Sequence, residues 1–217
     1  MPQPERSRVY VLTVDQIASR SNPDRAGTTV EELNRRHHER LLLAADRTAG
    51  DEFQLATDDA ALALGIALDL VRDGGWSVGL GQGGVRLPLP EATRAATGEA
   101  FYAARDAVTR AKKSALRFAL ESSDQQRGAD LEAIVVLLLH LRERRTAGGW
   151  EVADLLAAGA TQTEAAERLG LTESSISRRV AAAGIRAEVA ATGAIVRLLS
   201  ELDGTVGVST PDQEDDR

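Results

Sequence analysis

The chain has no cysteine, three histidines, one methionine and an aromatic fraction of only 3%. Without cysteine there are no disulfides, thiolate metal sites or cysteine nucleophiles, which fits the cytoplasm, where this chain is expected to reside. Scarce aromatics leave any core to be packed with Leu, Val, Ile and Ala. No apolar run approaches the ~20 residues that span a bilayer; the longest is 133–139. The first residues lack the charged-then-apolar pattern of a secretory signal, and no membrane partner is expected. His37 and His38 are adjacent, so they cannot face one site on a helix, which disfavours a histidine metal centre.

What is present is a globular balance, 43% hydrophobic and 27% charged over 217 residues, enough for one or two domains. The net charge of −7 counts against nonspecific coating of nucleic acid. It leaves a specific reader open, because only the contacting face has to be positive. Residues 211–217 carry four carboxylates and one arginine, so −3 of the total lies in the tail. The span 204–217 reads as a disordered, solubilising acidic tail.

Residues 161–184, TQTEAAERLGLTESSISRRVAAAG, read as a helix-turn-helix. Thr161 and Glu164 have capping-box spacing, with Thr163 as an alternative cap. Ala165, Ala166 and Leu169 face inward, and small Ala166 allows a close helix crossing. Gly170 suits a left-handed C′ position. Thr172 caps a second helix that buries Ile176 and Val180 at i, i+4. Glu173, Ser174, Ser177 and Arg178 then remain on the outer face near the helix N-terminus, the part that enters the major groove in this motif. Arg178 has the geometry for a bidentate bond to guanine, and Arg179 and Arg186 are assigned to phosphates. Double-stranded DNA is the partner this predicts.

Upstream, the β-branched run 9–14 (VYVLTV) reads as a buried strand. A helix over 28–42, a hairpin of strands 42–48 and 53–57, a helix over 58–73 and a strand over 76–81 follow. A helix over 97–113 and a strand over 115–120 complete an α+β unit. Residues 122–128 (SSDQQRG) have linker composition. Helices are predicted over 130–145, 150–158 and 185–202. The helix over 131–145 is apolar most of the way round, so it forms the core of the helical domain or packs on a partner subunit. A homodimer is expected, since paired reading helices reach half-sites one DNA turn apart.

Asp15 ends the first strand and Asp51 occupies the hairpin turn. If those strands are neighbours, both carboxylates converge and are suited to a divalent cation, with Glu52 beside them and Gly50 letting backbone approach a phosphate. This arrangement resembles the class III nucleotidyl cyclase and GGDEF diguanylate cyclase fold. Residues 98–105 (GEAFYAAR) are similar to the A-L-Y-x-A-K segment of GGDEF domains, which implies a phosphate-contacting role for Arg105. The order GDEFQ (50–54), VGLGQGG (78–84), G-x-A-F-Y-x-A-R and helix-turn-helix resembles the SatD-like family of bacterial proteins over residues 9–184. The cyclase and GGDEF resemblance implies a ferredoxin-like sheet with helices, and a site for a purine nucleotide with Mg2+ or Mn2+; the SatD-like one implies no established reaction.

The chain departs from active cyclases in several places. Ala49 replaces the first glycine of GGDEF, no asparagine precedes a transition-state arginine in 101–105, and no purine-selecting Lys/Asp pair can be placed. Such chemistry relies on electrostatic stabilisation of the transferred phosphoryl group, so these losses argue against turnover. The expected organisation is a degenerate cyclase-like α+β domain (1–127), an all-α helix-turn-helix domain (128–203) and the acidic tail.

Overall fold

The alternating apolar pattern around residues 9–14 builds the central strand of a five-stranded sheet in the computed structural model, which describes residues 5–202. The acidic tail expected over 204–217 lies outside the described residues. In chain order the elements are β1 (Glu5–Gln16), α1 (Ala26–His37), β2 (Leu43–Ala49), β3 (Glu52–Thr57), α2 (Ala60–Asp73), β4 (Trp76–Arg86), α3 (Glu99–Ala111) and β5 (Phe118–Ser122). Five helices follow: α4 (Gln125–Glu143), α5 (Ala147–Ala157), α6 (Gln162–Leu169), α7 (Glu173–Ala182) and α8 (Ile185–Ser200). The chain is α+β, with strand order β2-β3-β1-β4-β5. The first four strands pair antiparallel, and β5 joins β4 in parallel after the crossover through α3.

Alternation sorts side chains to two faces. Tyr10, Leu12 and Val14 join Phe53, Leu55, Trp76, Val78, Leu80, Phe118 and Leu120 on one face, which is covered by α2. Val9 and Val11 point the other way, towards Phe101 and Ala104 of α3. On that second face β4 presents glycines. A Cβ on Gly79 would lie 2.2 Å from the backbone nitrogen of Val108, and one on Gly81 would lie 2.3 Å from the Ala100 carbonyl oxygen. Helix α3 answers with buried Ala100, Ala104, Ala107 and Ala111, so its backbone rests almost directly on the sheet. That contact explains why β4 runs through its glycines to Arg86, beyond the end at residue 81 that glycine's low strand propensity suggests.

The second departure is at residues 122–128. Asp124 accepts a hydrogen bond from the Arg127 amide and caps α4, so the segment with linker composition begins a helix. Leu131, Val135, Leu138 and Leu139 of α4, with Ile195, Leu199 and Leu202 at the α8 end, belong to the same core as the sheet. The Tyr10 hydroxyl donates to the Leu199 carbonyl (2.9 Å), and Gln82 Nε2 donates to the Leu202 carbonyl (2.8 Å). The boundary expected at 127/128 therefore falls inside one continuous core. Helix α4, expected to centre a helical domain or meet a partner subunit, buries its inner face against the sheet and leaves Ile134 and Leu137 exposed.

Among the described residues no helix is long and apolar enough to cross a membrane.

Candidate nucleic-acid interface

Helices α5, α6 and α7 close over a small apolar core of their own. Val152, Ala165, Ala166, Ile176, Val180, Ala183 and Ile185 are buried in it, with Leu169 and Leu171 packed against them. Thr161 Oγ1 accepts from the Glu164 amide (3.2 Å), while Glu164 Oε2 accepts from the Thr161 amide (2.7 Å). This is the reciprocal capping box. The bond from the Thr161 amide, followed by that from its hydroxyl, holds the Glu164 carboxyl below its ordinary range. Gly170 ends α6 at φ 64°, in the left-handed region, and the Leu171 amide donates back to the Ala166 carbonyl. Thr172 caps α7 by accepting from the Ser175 amide (3.2 Å).

With Ile176 and Val180 turned inward, α7 exposes Glu173, Ser174, Ser177, Arg178 and Ala181 on one side. Thr163 donates to Glu173 Oε1 at 2.7 Å, tying the starts of α6 and α7 together. Ser174 is within 3.0 Å of the Thr172 hydroxyl. Arg178 lies exposed, with its nearest recorded bond a long one of 3.4 Å to Ser175. Arg186, in the first turn of α8, is exposed as well. Arg179 turns the other way, to Glu151 (3.2 Å) and the Gly148 carbonyl on α5 (3.3 Å), off the outer face. Residues 161–184 hold three Arg and three Glu, so this surface has no net charge of its own.

Strand β1 does neighbour the β2–β3 hairpin. Asp15 pairs across β1–β3 with Glu52, and the Gln16 amide donates to the Asp51 carbonyl (3.2 Å). Gly50 takes φ 58° at the first central position of the two-residue turn between β2 and β3, as primed hairpin turns require. A lysine stands among them: Lys112 Nζ is 2.6 Å from Asp15 Oδ1. The Asp51 carboxyl is held below its ordinary range, first by a hydrogen bond from Ser19 and further by the charges of Lys112 and Arg47. Glu52 accepts from the Thr48 hydroxyl (2.6 Å). Arg105 is exposed on α3. Among the described residues no group of three or more His, Cys, Asp or Glu side chains is placed to hold a metal ion.

No family model, curated protein or solved structure matches this chain.

What the three-helix unit can bind is read from its own residues and from how it is mounted. Its mounting rests on residues that sequence reasoning left aside. Arg142 and Arg145, at the end of α4, both pair with Glu188 of α8, and all three side chains are largely buried. Arg145 also donates to the Ala183 carbonyl (2.9 and 3.1 Å), closing the end of α7. The Trp150 ring of α5 meets three guanidinium groups, Arg72 at 3.7 Å, Arg145 at 4.3 Å and Arg142 at 4.9 Å from its centroid. Arg72 of α2 further grips Asp154 of α5 with two bonds of 2.6 and 2.8 Å. The bonds from Arg72, Arg142 and Arg145 to Asp154, Glu188 and Ala183 join residues far apart in sequence, and only the arginines just before Trp150 hinted at the stacking.

Proposed function

We propose that the chain is a sequence-specific DNA-binding transcriptional regulator whose α7 reads the major groove. The observation that carries this reading is the division of labour on α7. Ile176 and Val180 are buried and Arg179 is bound to α5, while Ser174, Ser177 and Arg178 are exposed near the helix N-terminus. Those three supply a guanine-reading guanidinium and two hydroxyls at the end of the helix that docks in this motif. Arg186 adds a phosphate contact; Arg179 contributes less, because it is engaged with Glu151. Under this reading the sheet is a cyclase-like, ferredoxin-like platform of the SatD-like type that dimerises or senses a nucleotide. An electrophoretic shift on a selected duplex tests it. Arg178→Ala is expected to weaken binding by about 1–3 kcal/mol, and equal affinity for unrelated duplexes at moderate salt would count against specific readout.

A second reading rests on the placement of Asp15 and Glu52 as cross-strand partners beside the turn that carries Asp51. In it the chain is a metal-dependent nucleotidyl cyclase-type enzyme with an accessory DNA-binding unit, and Gly50, Glu52 and Arg105 approach the phosphates of a purine nucleotide. Lys112 weighs against it, since its ammonium is paired with Asp15 and would compete there with Mg2+ or Mn2+. Incubation with ATP or GTP and either metal separates the two readings. A cyclic product lost in Asp15→Ala and Asp51→Ala supports the enzyme; no turnover in either metal removes it.

A further inference from the structure

Four of the five large apolar side chains exposed among the described residues lie on α4 and α8: Ile134 (41%), Leu137 (71%), Val189 and Leu198. Between the two helices runs a groove of about 620 Å³, lined by Ile134, Leu137 and Leu141 of α4 and by Ala187 and Ala191 of α8. It reaches Ala182 at the end of α7. From Ala133 to Leu139 the outer side of α4 carries no charge. Scattered exposed leucines are ordinary, but a stripe along one helix flanked by a groove marks an interaction surface.

The sequence of that stripe points to its occupant. At helical spacing it runs Asp130, Ile134, Leu137, Leu141, Arg144. Asp130 lies seven residues before Leu137 and Arg144 seven after it, each about 10 Å along the axis from the most exposed leucine. Asp130 bonds only to Gln126 among the described residues, and Arg144 makes no ion pair among them. A twofold axis passing beside Leu137 stacks that leucine on its own copy and sets each Asp130 against the partner's Arg144. The stripe is therefore complementary to itself when reversed, which is what an isologous interface demands. At about 1.5 Å per residue and a width of about 10 Å, α4 and α8 together offer a footprint of roughly 500 Å², which fits a small interface below the standard ~800 Å² per partner.

We infer that the outer face of α4, with the groove it shares with α8, is the homodimer interface of this protein. The pairing presents two copies of α7, and so two sets of the Arg178 and Arg186 contacts, to one duplex. It deepens the DNA-binding reading but does not depend on it, since assembly is measured without DNA.

Sedimentation of the full chain up to about 100 μM tests it, above the μM range where weak standard-size interfaces begin. The wild type should be a dimer and Leu137→Glu a monomer with unchanged circular dichroism, as an exposed side chain is altered. Asp130→Arg and Arg144→Asp should each weaken the dimer several-fold, and the double exchange should restore it to within about twofold. A wild type that stays monomeric overturns the inference and leaves the face to a different protein. A dimer that persists in Leu137→Glu, or a double exchange no tighter than the singles, also overturns it. Loss of DNA binding with dimerisation intact would instead count against the DNA reading alone.

Discussion

Lys112 Nζ lies 2.6 Å from Asp15 Oδ1, so a side-chain ammonium occupies the end of β1 where the second proposed reading would seat a metal. A fixed positive charge there competes with any divalent cation. Lys112→Ala should therefore bind Mn2+ more tightly than the wild type by about fivefold or more, since unit charges 4 Å apart repel by ~1 kcal/mol even in water. Titration calorimetry reads this directly. Equal affinities would show that Lys112 does not guard the site.

The glycines of β4 are expected to be intolerant of any side chain. At Gly79 and Gly81 an added Cβ meets α3 backbone rather than a movable side-chain tip. Gly79→Ala should cost about 1–3 kcal/mol or more, as overpacking does. The same change at Gly65, where nothing lies within 4 Å, should be neutral or mildly stabilising, because it lies inside α2. Urea unfolding of the two variants separates a packing role for the glycine-rich strand from a phosphate-binding one. A stable Gly79→Ala that loses nucleotide binding would reverse this assignment.

Glu188 holds two buried guanidinium groups, and neither Arg142 nor Arg145 has another carboxylate at comparable distance. Glu188→Ala leaves both charges without their closest counterion and should destabilise by about 3–5 kcal/mol. Because Arg145 also closes α7, the loss should loosen the three-helix unit first. Hydrogen exchange should rise in α5–α8 before it rises in β1 and β4. Uniform exchange across the chain would mean that the cluster does not govern the mounting.

The capping box has a defined pH dependence. Glu164 in the folded chain titrates below its unfolded value, so its contribution is present above the ordinary carboxylate range and is lost as pH falls through the depressed folded value. The difference in melting temperature between wild type and Glu164→Ala should be full at neutral pH and shrink as pH falls through and below the ordinary carboxylate range. A constant difference would show that the carboxylate charge is irrelevant to the cap.

Local chemistry made the two capped helices α6 and α7 and the turn between them legible in the sequence. Thr161, Glu164, Gly170 and Thr172 each act within four residues, and the structure bonds each as its type demands. The strand order of types was equally readable, because residues 9–14 and 53–57 keep strand character in any context. Two stretches misled for one reason, that composition hid a compensating contact. Glycines shorten a strand on propensity, yet α3 needs them bare; SSDQQRG reads as linker, yet its aspartate is a cap. Other features lay beyond local reading altogether. Periodicity shows that α4 is buried but not against what, and nothing near Asp15 announces Lys112. Trp150 read as ordinary packing because its three arginines come from α2 and α4.

If the outer face of α7 reads DNA sequence, as proposed, selection from a random duplex pool by wild type and Arg178→Ala will show it most directly. The wild type is expected to enrich one motif, repeated as two half-sites about one helical turn apart. Arg178→Ala is expected to lose preference at one base position in each half-site while keeping residual affinity at low salt. Bound fragments indistinguishable from the starting pool, or the same motif recovered undiminished by Arg178→Ala, would contradict it.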